Sequence, residues 1–187
     1  MESKDFPSLE TERLHLRKIT KEDARSMFTY LSDADVMKHY GLAPFQSLEE
    51  VYDEIDWYDS LWKEKKGIRW GIALKNEGEI IGSCGFHNKV DRHFRTEIGF
   101  ELKKEKWKTG IATEALNPIL LYAFTEWQLQ RVEALIEPEN IASQRLVEKL
   151  GFQKEGLLRS YEYVSGQFDD LFMYSILRHE FTSTNRA

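Results

Sequence analysis

The sequence predicts a single α+β domain, and three observations carry that reading. Strand-like alternation, clearest from Thr96 to Lys103, is interleaved with helical periodicity, clearest from Ser47 to Lys66. The segments run strand, two helices, three strands, helix, strand, helix, two strands. No repeat, low-complexity tract or Pro/Gly/Ser linker interrupts them, so one domain is drawn over residues 8–182 of the 187. A chain of this length buries roughly 70% of the surface its unfolded form exposes, which suffices for one core.

Leu14, Leu16 and Ile19 mark a first strand. Thr20, with Asp23 three positions on, has the spacing of a capping box and opens a helix to about Leu31. Ser47 and Glu50 make a stronger box, opening a helix to about Lys66 whose Val51, Ile55, Tyr58 and Trp62 form one apolar stripe. The runs Ile68 to Lys75 and Ile80 to His87, joined by Asn76-Glu77-Gly78-Glu79, read as a hairpin. From Thr96 to Lys103, Ile98, Phe100 and Leu102 share one face, while Glu97, Gly99 and Glu101 share the other. A helix follows from near Gly110, carrying Ala112, Ala115, Leu116, Ile119 and Ala123 to the core, with Pro118 removing one ladder hydrogen bond. Arg131 to Glu137 is again a strand, Pro138 breaks it, and Asn140 caps a helix ending at Gly151. Leu158 to Val164 and Phe168 to Leu177, around Gly166, make a last antiparallel pair.

Composition narrows the function classes. With 41% hydrophobic and 31% charged residues, the chain is neither collagen-like nor disordered. The 26 basic and 32 acidic side chains leave a net charge of -6, which argues against a broad nucleic-acid footprint. The longest apolar stretch, Ile119 to Phe124, is far short of the about 20 residues a membrane helix needs, and the N-terminus lacks an apolar signal region. A lone cysteine, Cys84, forbids an intrachain disulfide, so a reducing cytoplasm is expected. The five histidines are scattered without metal-ligand spacing, so no metal is expected. Cys84, among glycines in a strand, reads as a small core residue rather than a nucleophile.

Chemistry is concentrated in two segments. Glu97 to Leu116 joins a strand, a polar turn and a helix N-terminus, where Gly110 lets backbone approach a ligand and free N–H groups favour phosphate. Lys103, Lys104, Lys106 and Lys108 crowd that turn; they suit a polyanion, and equally suit a solvated basic turn. In the second segment Asn140 and Ser143 occupy a strand-to-helix corner, where capping alone would account for them.

Taken together the segments resemble the GNAT (Gcn5-related) N-acetyltransferase superfamily, and within it the RimJ/RimL-like ribosomal-protein-alanine acetyltransferase branch. The likeness spans nearly the whole chain. It rests on TERLHLRKITKEDA, EIGFEL, WKTGIATEAL, the N-x-x-S-x-R-x-x-E-K-x-G-F string from Asn140 to Phe152, and Y-x-x-G-x-x-x-D-x-x-x-Y from Tyr163 to Tyr174. The resemblance implies a mixed, mostly antiparallel twisted sheet flanked by helices, with a splayed parallel strand pair ending at Leu102 and Ile136 that admits acetyl-CoA. The family's pyrophosphate loop, Q/R-x-x-G-x-G/A, would fall on Trp107, Lys108, Thr109, Gly110, Ile111 and Ala112, with Thr113 following. Backbone of Leu102 and Lys103 would pair with the pantetheine arm, and Asn140 would hydrogen-bond it.

The resemblance further implies direct attack of a neutral amine on the thioester, with a backbone N–H near Leu102 stabilising the oxyanion. The tyrosine that often protonates the departing thiolate is replaced by Val147, so Ser143 takes the role of acid. The branch's base carboxylate falls on Glu162, with Glu101 the rival; each could equally be a surface glutamate. An α-amine of pKa about 7.8 is roughly one-tenth neutral at pH 7 and a lysine of about 10.4 only ~0.04%, a gap near ~3.5 kcal/mol. The expected acceptor is therefore a protein N-terminus, and the resemblance implies that of a ribosomal protein. The rivals are a polyamine or aminoglycoside, drawn by Glu49, Glu50, Asp53, Glu54, Asp56 and Asp59, and a non-catalytic acyl-CoA-binding module. Trp57 and Tyr58 pack the core or line the acceptor mouth, and a homo-oligomer is left open.

Overall fold

In the computed structural model, which describes residues 5–164 and 166–181, the centre of the molecule is an eight-stranded sheet. The elements are β1 (Leu9–Glu10), β2 (Leu14–Lys18), α1 (Ala24–Leu31), α2 (Ala34–Met37), α3 (Leu48–Lys63), β3 (Ile68–Leu74), β4 (Ile80–Val90) and β5 (Arg95–Leu102). They continue as α4 (Ile111–Thr125), β6 (Arg131–Ile136), α5 (Ile141–Lys149), β7 (Gln153–Val164) and β8 (Gln167–Leu177). The strand order is β1-β2-β3-β4-β5-β6-β8-β7, antiparallel throughout except for β5 beside β6.

Two apolar layers sandwich the sheet. On one face α4 is apolar nearly all round, burying Ile111, Ala115, Leu116, Ile119, Leu120, Ala123 and Phe124 against Leu14, Leu16, Trp70, Ile72 and Phe86. At about 1.5–3 kcal/mol per fully buried large aliphatic side chain, this one helix supplies much of the hydrophobic stabilisation. On the other face α1 and α3 enclose a second core of Met27, Tyr30, Leu31, Val51, Ile55, Tyr58 and Ile80. Helix α3 starts as its capping residues require: Ser47 Oγ accepts from Glu50 N–H at 3.4 Å, and Glu50 Oε2 accepts from Gln46 N–H at 2.9 Å. Its buried stripe is Val51, Ile55, Tyr58 and Leu61, whereas Trp62 is only partly covered, because a step of three keeps this stripe on the core.

The sheet adds to the sequence reading at its edges. The two-residue β1 and the four-residue α2 are too short for periodicity to reveal. Strand β7 begins at Gln153, earlier than the apolar run suggests, because its outer face is exposed for most of its length. Residue 182, the expected domain end, lies outside the described residues.

One feature of the sheet positions the site. The parallel pair β5–β6 is registered at Arg95↔Arg131, Thr96↔Val132 and Glu97↔Glu133, and then stops. Beyond that point β5 stays with β4 up to Leu102↔Gly82, and β6 stays with β8 up to Ile136↔Phe172. Each strand follows its own antiparallel partner, so in a twisted sheet the two diverge and leave a wedge between them.

Candidate active site

The wedge has one lip of open backbone. Lys103 N–H donates to Ile81 O at 2.8 Å, toward β4, so by the strand's period of two the peptide groups of Phe100 and Leu102 face the opposite way, into the gap. The Lys103 carbonyl accepts from Lys106 N–H at 2.9 Å. Both backbone groups of Lys103 are therefore engaged within the protein, and the edge expected of Leu102 and Lys103 belongs to Phe100 and Leu102. The Leu102 carbonyl already accepts from Trp107 Nε1 at 2.9 Å, while its N–H is directed into the wedge.

Two helix N-termini stand at the open ends of the diverging strands. After β5, Gly110 caps α4 with φ +83°, a left-handed conformation that a side chain would strain, and Lys108 also has φ +61°. A glycine would adopt the latter angle with less strain than Lys108 does. The amides from Ile111 to Thr113 begin the helix and carry its positive dipole end. Of the four lysines in the turn, Lys103 pairs with Glu79 at 2.7 Å, Lys104 with Asp35, and Lys106 reaches Glu77 at 3.9 Å; Lys108 has no ion pair among the described residues. The cation held at the loop is instead Arg13, whose Nη1 donates to Thr109 O at 3.2 Å while Nε pairs with Glu114 at 2.6 Å. Its contacts lie about a hundred positions away in the chain, so no local pattern marks it.

After β6, Asn140 Oδ1 accepts from Ser143 N–H at 3.1 Å and caps α5. The Ser143 hydroxyl has no hydrogen-bond partner among the described residues and is half-buried, whereas Val147, one turn on, is fully buried core. The corner thus separates two tasks: Asn140 holds the helix and Ser143 keeps a free hydroxyl.

The sheet face toward α1–α3 is polar where it meets the wedge. Glu101 is buried, paired with Arg69 and accepting from Ser83 Oγ, and Arg69 Nε donates to the same hydroxyl at 2.7 Å. Burial raises the Glu101 pKa, and the guanidinium works against that rise. Its oxygens are committed to this network, which disfavours it as the base. Glu162 is different. A register shift between Leu158 and Glu162 in β7 re-aims the strand, and the Glu162 carboxylate lies 3.6 Å from where a side chain on Gly41 would begin. Its pKa is raised, first by partial desolvation and then by the carboxylates of Glu137, Asp169 and Glu97. His39 Nδ1 meets Glu137 at 2.5 Å, and His87 lies 3.4 Å from Glu97. A cavity of about 480 Å³ beside Glu162 is bounded by Met37, Gly41, Pro44, Glu137, Val164 and Asp169.

Cys84 is fully buried, and burial pushes its thiol up to about 12, so it is inert core. Trp57 is exposed, while Tyr58 is buried with Arg69 stacked 5.5 Å from its ring centre. No group of three or more metal-ligating side chains, and no helix long and apolar enough to cross a membrane, occurs among the described residues.

The wedge, its open backbone lip and the left-handed glycine at a helix N-terminus fit a ligand with a polar extended arm and a phosphate-bearing end. Comparison with known proteins agrees. Residues 13–153 match the model of the Acetyltransferase (GNAT) domain. The chain is 43% identical over 173 residues to the uncharacterized N-acetyltransferase YoaA of Bacillus subtilis, covering 92% of this chain and 98% of that one. It is 29% identical over 187 aligned residues to the ribosomal protein uS5-alanine N-acetyltransferase of Escherichia coli, covering 93% and 92%. Among solved structures, spermidine N-acetyltransferase from Vibrio cholerae with CoA and spermine superposes with a TM-score of 0.79 at 22% identity, covering 91% of this chain and 99% of that one. A splayed β5–β6 pair in a mixed sheet, joined to a family match over most of its length, makes this chain a member of the GNAT acetyltransferase family, an N-acetyltransferase that uses acetyl-CoA.

Proposed function

We propose that the acceptor is the N-terminal α-amine of a protein, of the ribosomal-protein type. The observation that carries this is the open, carboxylate-rich cavity beside Glu162, bounded by α2 and the loop after it, the end of β6 and the β7–β8 tip, which offers a chain end a way in. The uS5-alanine acetyltransferase relative supports the same acceptor chemistry. An α-amine of pKa about 7.8 needs only modest help to shed its proton, which one carboxylate of raised pKa can supply.

Bound acetyl-CoA supplies the activated acetyl thioester. The amides of Gly110, Ile111, Ala112 and Thr113, with Trp107, Lys108 and Thr109 shaping the loop, hold the diphosphate end. Phe100 and Leu102 offer backbone to the pantetheine arm, and the Leu102 N–H faces the place where charge develops on the acyl oxygen. Glu162 would accept the amine proton as the C–N bond forms, and the Ser143 hydroxyl would hydrogen-bond the sulfur as the C–S bond breaks, the thiolate taking its proton from solvent, to which Glu162 returns the one it accepted. Asn140 reaches the arm only while capping α5.

A second reading has a specific observation behind it. Glu97, Glu137, Glu162 and Asp169 crowd one side of the site, which suits a polycation, and the Vibrio relative is a spermidine acetyltransferase. An acceptor screen with acetyl-CoA separates the two: peptides with free N-termini should be acetylated and blocked ones should not. Turnover on polyamines alone would contradict the N-terminal assignment.

A further inference from the structure

Arg69 is a buried cation with an unused end. Its side chain is 6% exposed, and its Nε and Nη2 are committed to Ser83 and Glu101. Nη1 has no hydrogen-bond partner among the described residues, and it is absent from the fully buried unpaired atoms Tyr30 Oη, Asn117 Oδ1 and Arg178 Nη2, so it keeps contact with solvent. What leaves it reachable is Gly99. A Cβ there would sit 2.9 Å from Nη1 and 3.3 Å from His87 Cε1, while the backbone of Gly99 is ordinary strand. Gly99 is two residues beyond Glu97, the last β5 residue paired with β6, so Nη1 lies at the floor of the acceptor side where the wedge opens.

We propose that Arg69 is a specificity-determining residue whose free Nη1 binds the acyl oxygen next to the amine-bearing carbon of the acceptor. The charge of the guanidinium is balanced by Glu101, so the vacant donors match a neutral carbonyl oxygen rather than demanding a carboxylate. Such an oxygen is present in every peptide N-terminus and amino-acid amide and in no polyamine. The residue acts through geometry: one anchor on the oxygen and Glu162 near the nitrogen fix the amine relative to the thioester. The assignment rests on the acetyl-transfer reading of the wedge and names the acceptor class that reading admits.

The test compares wild type, Arg69→Lys and Gly99→Ala on an alanine-headed peptide, alaninamide and spermidine, with acetyl-CoA binding followed by calorimetry. Lysine keeps the charge opposite Glu101 and removes the free fork nitrogen; alanine at position 99 crowds that nitrogen, and decides the matter if the lysine variant fails to fold. Both variants should lose about 10- to 100-fold in kcat/KM on the peptide and alaninamide, chiefly through KM, lowering their ratio to spermidine while acetyl-CoA affinity holds. An equal loss on all three acceptors, or no loss on the carbonyl-bearing ones, overturns the assignment. If wild type acetylates alaninamide but no peptide, the N-terminal reading falls and this one stands. If it acetylates the peptide and both variants keep their preference, this one falls alone; turnover on spermidine only removes both.

Discussion

Trp107 Nε1 donates to the Leu102 carbonyl across 2.9 Å, tying the phosphate-facing loop to the last residue of the splayed strand. The bond couples two parts of the cofactor site that are otherwise joined only by a short 3₁₀ turn at Lys104–Lys106. Trp107→Phe keeps the ring and removes the donor. Acetyl-CoA binding should weaken about 5-fold, the worth of roughly 1 kcal/mol, with little change in melting temperature because the side chain is half-exposed. Calorimetric titration of both proteins checks this.

Glu162 should set the acidic limb of the rate profile. Its raised pKa means that the unprotonated, proton-accepting form is lost at a higher pH than for an ordinary carboxylate. Activity should therefore rise with pH through a limb displaced upward from that of an ordinary carboxylate. Glu162→Gln should remove that limb and lower kcat on the order of 100-fold, leaving acetyl-CoA affinity intact. A Glu101→Gln protein should instead lose stability, since it leaves the buried Arg69 without its counter-charge.

The corner at Asn140 and Ser143 offers a separation of roles. Ser143→Ala should cut kcat about 10- to 100-fold without altering the melting temperature, because the hydroxyl has no partner among the described residues to lose. Asn140→Ala should cost about 1 kcal/mol of stability, because its Oδ1 caps α5. Thermal melting and steady-state rates on both variants distinguish the two.

The order of long elements was legible because α3 and β5 carry a period, while β3, β4 and α4 show as apolar runs bounded by turn or glycine signals. Val51, Ile55 and Tyr58 mark α3, and alternation from Glu97 to Leu102 marks β5. Gly110 was readable as a special backbone position, since a glycine between a strand and an apolar helix has few other reasons to be there. Arg13, Arg69, His39 and Glu137 were not readable as site residues, because each meets its partners across tens of positions. The lysine cluster misled in one respect: charge density along the chain does not reveal that Glu79, Asp35 and Glu77 stand opposite three of the four.

An ion pair at the β6–β7 side of the sheet gives a pH test of stability. Both Glu155 oxygens accept from Arg131, at 2.7 and 2.6 Å, and Ser175 Oγ donates to one of them at 2.7 Å. These bonds lower the Glu155 pKa to about 2. A depressed folded-state pKa stabilises above the ordinary carboxylate range, and the contribution disappears as pH falls toward about 2. The carboxylate is 43% exposed, so screening keeps the effect below about 1 kcal/mol. The melting temperature of Glu155→Gln should lie slightly under wild type at neutral pH and converge with it in acid.

Every catalytic role assigned above depends on the wedge between β5 and β6 being the seat of acetyl-CoA. Residue-resolved amide exchange by NMR, with and without acetyl-CoA, tests it most directly. Phe100 and Leu102 N–H groups, facing the gap, should exchange fast in the free protein and slowly with ligand, while Lys103, bonded to Ile81, stays protected in both. Unchanged exchange at Phe100 and Leu102 under saturating acetyl-CoA would contradict it.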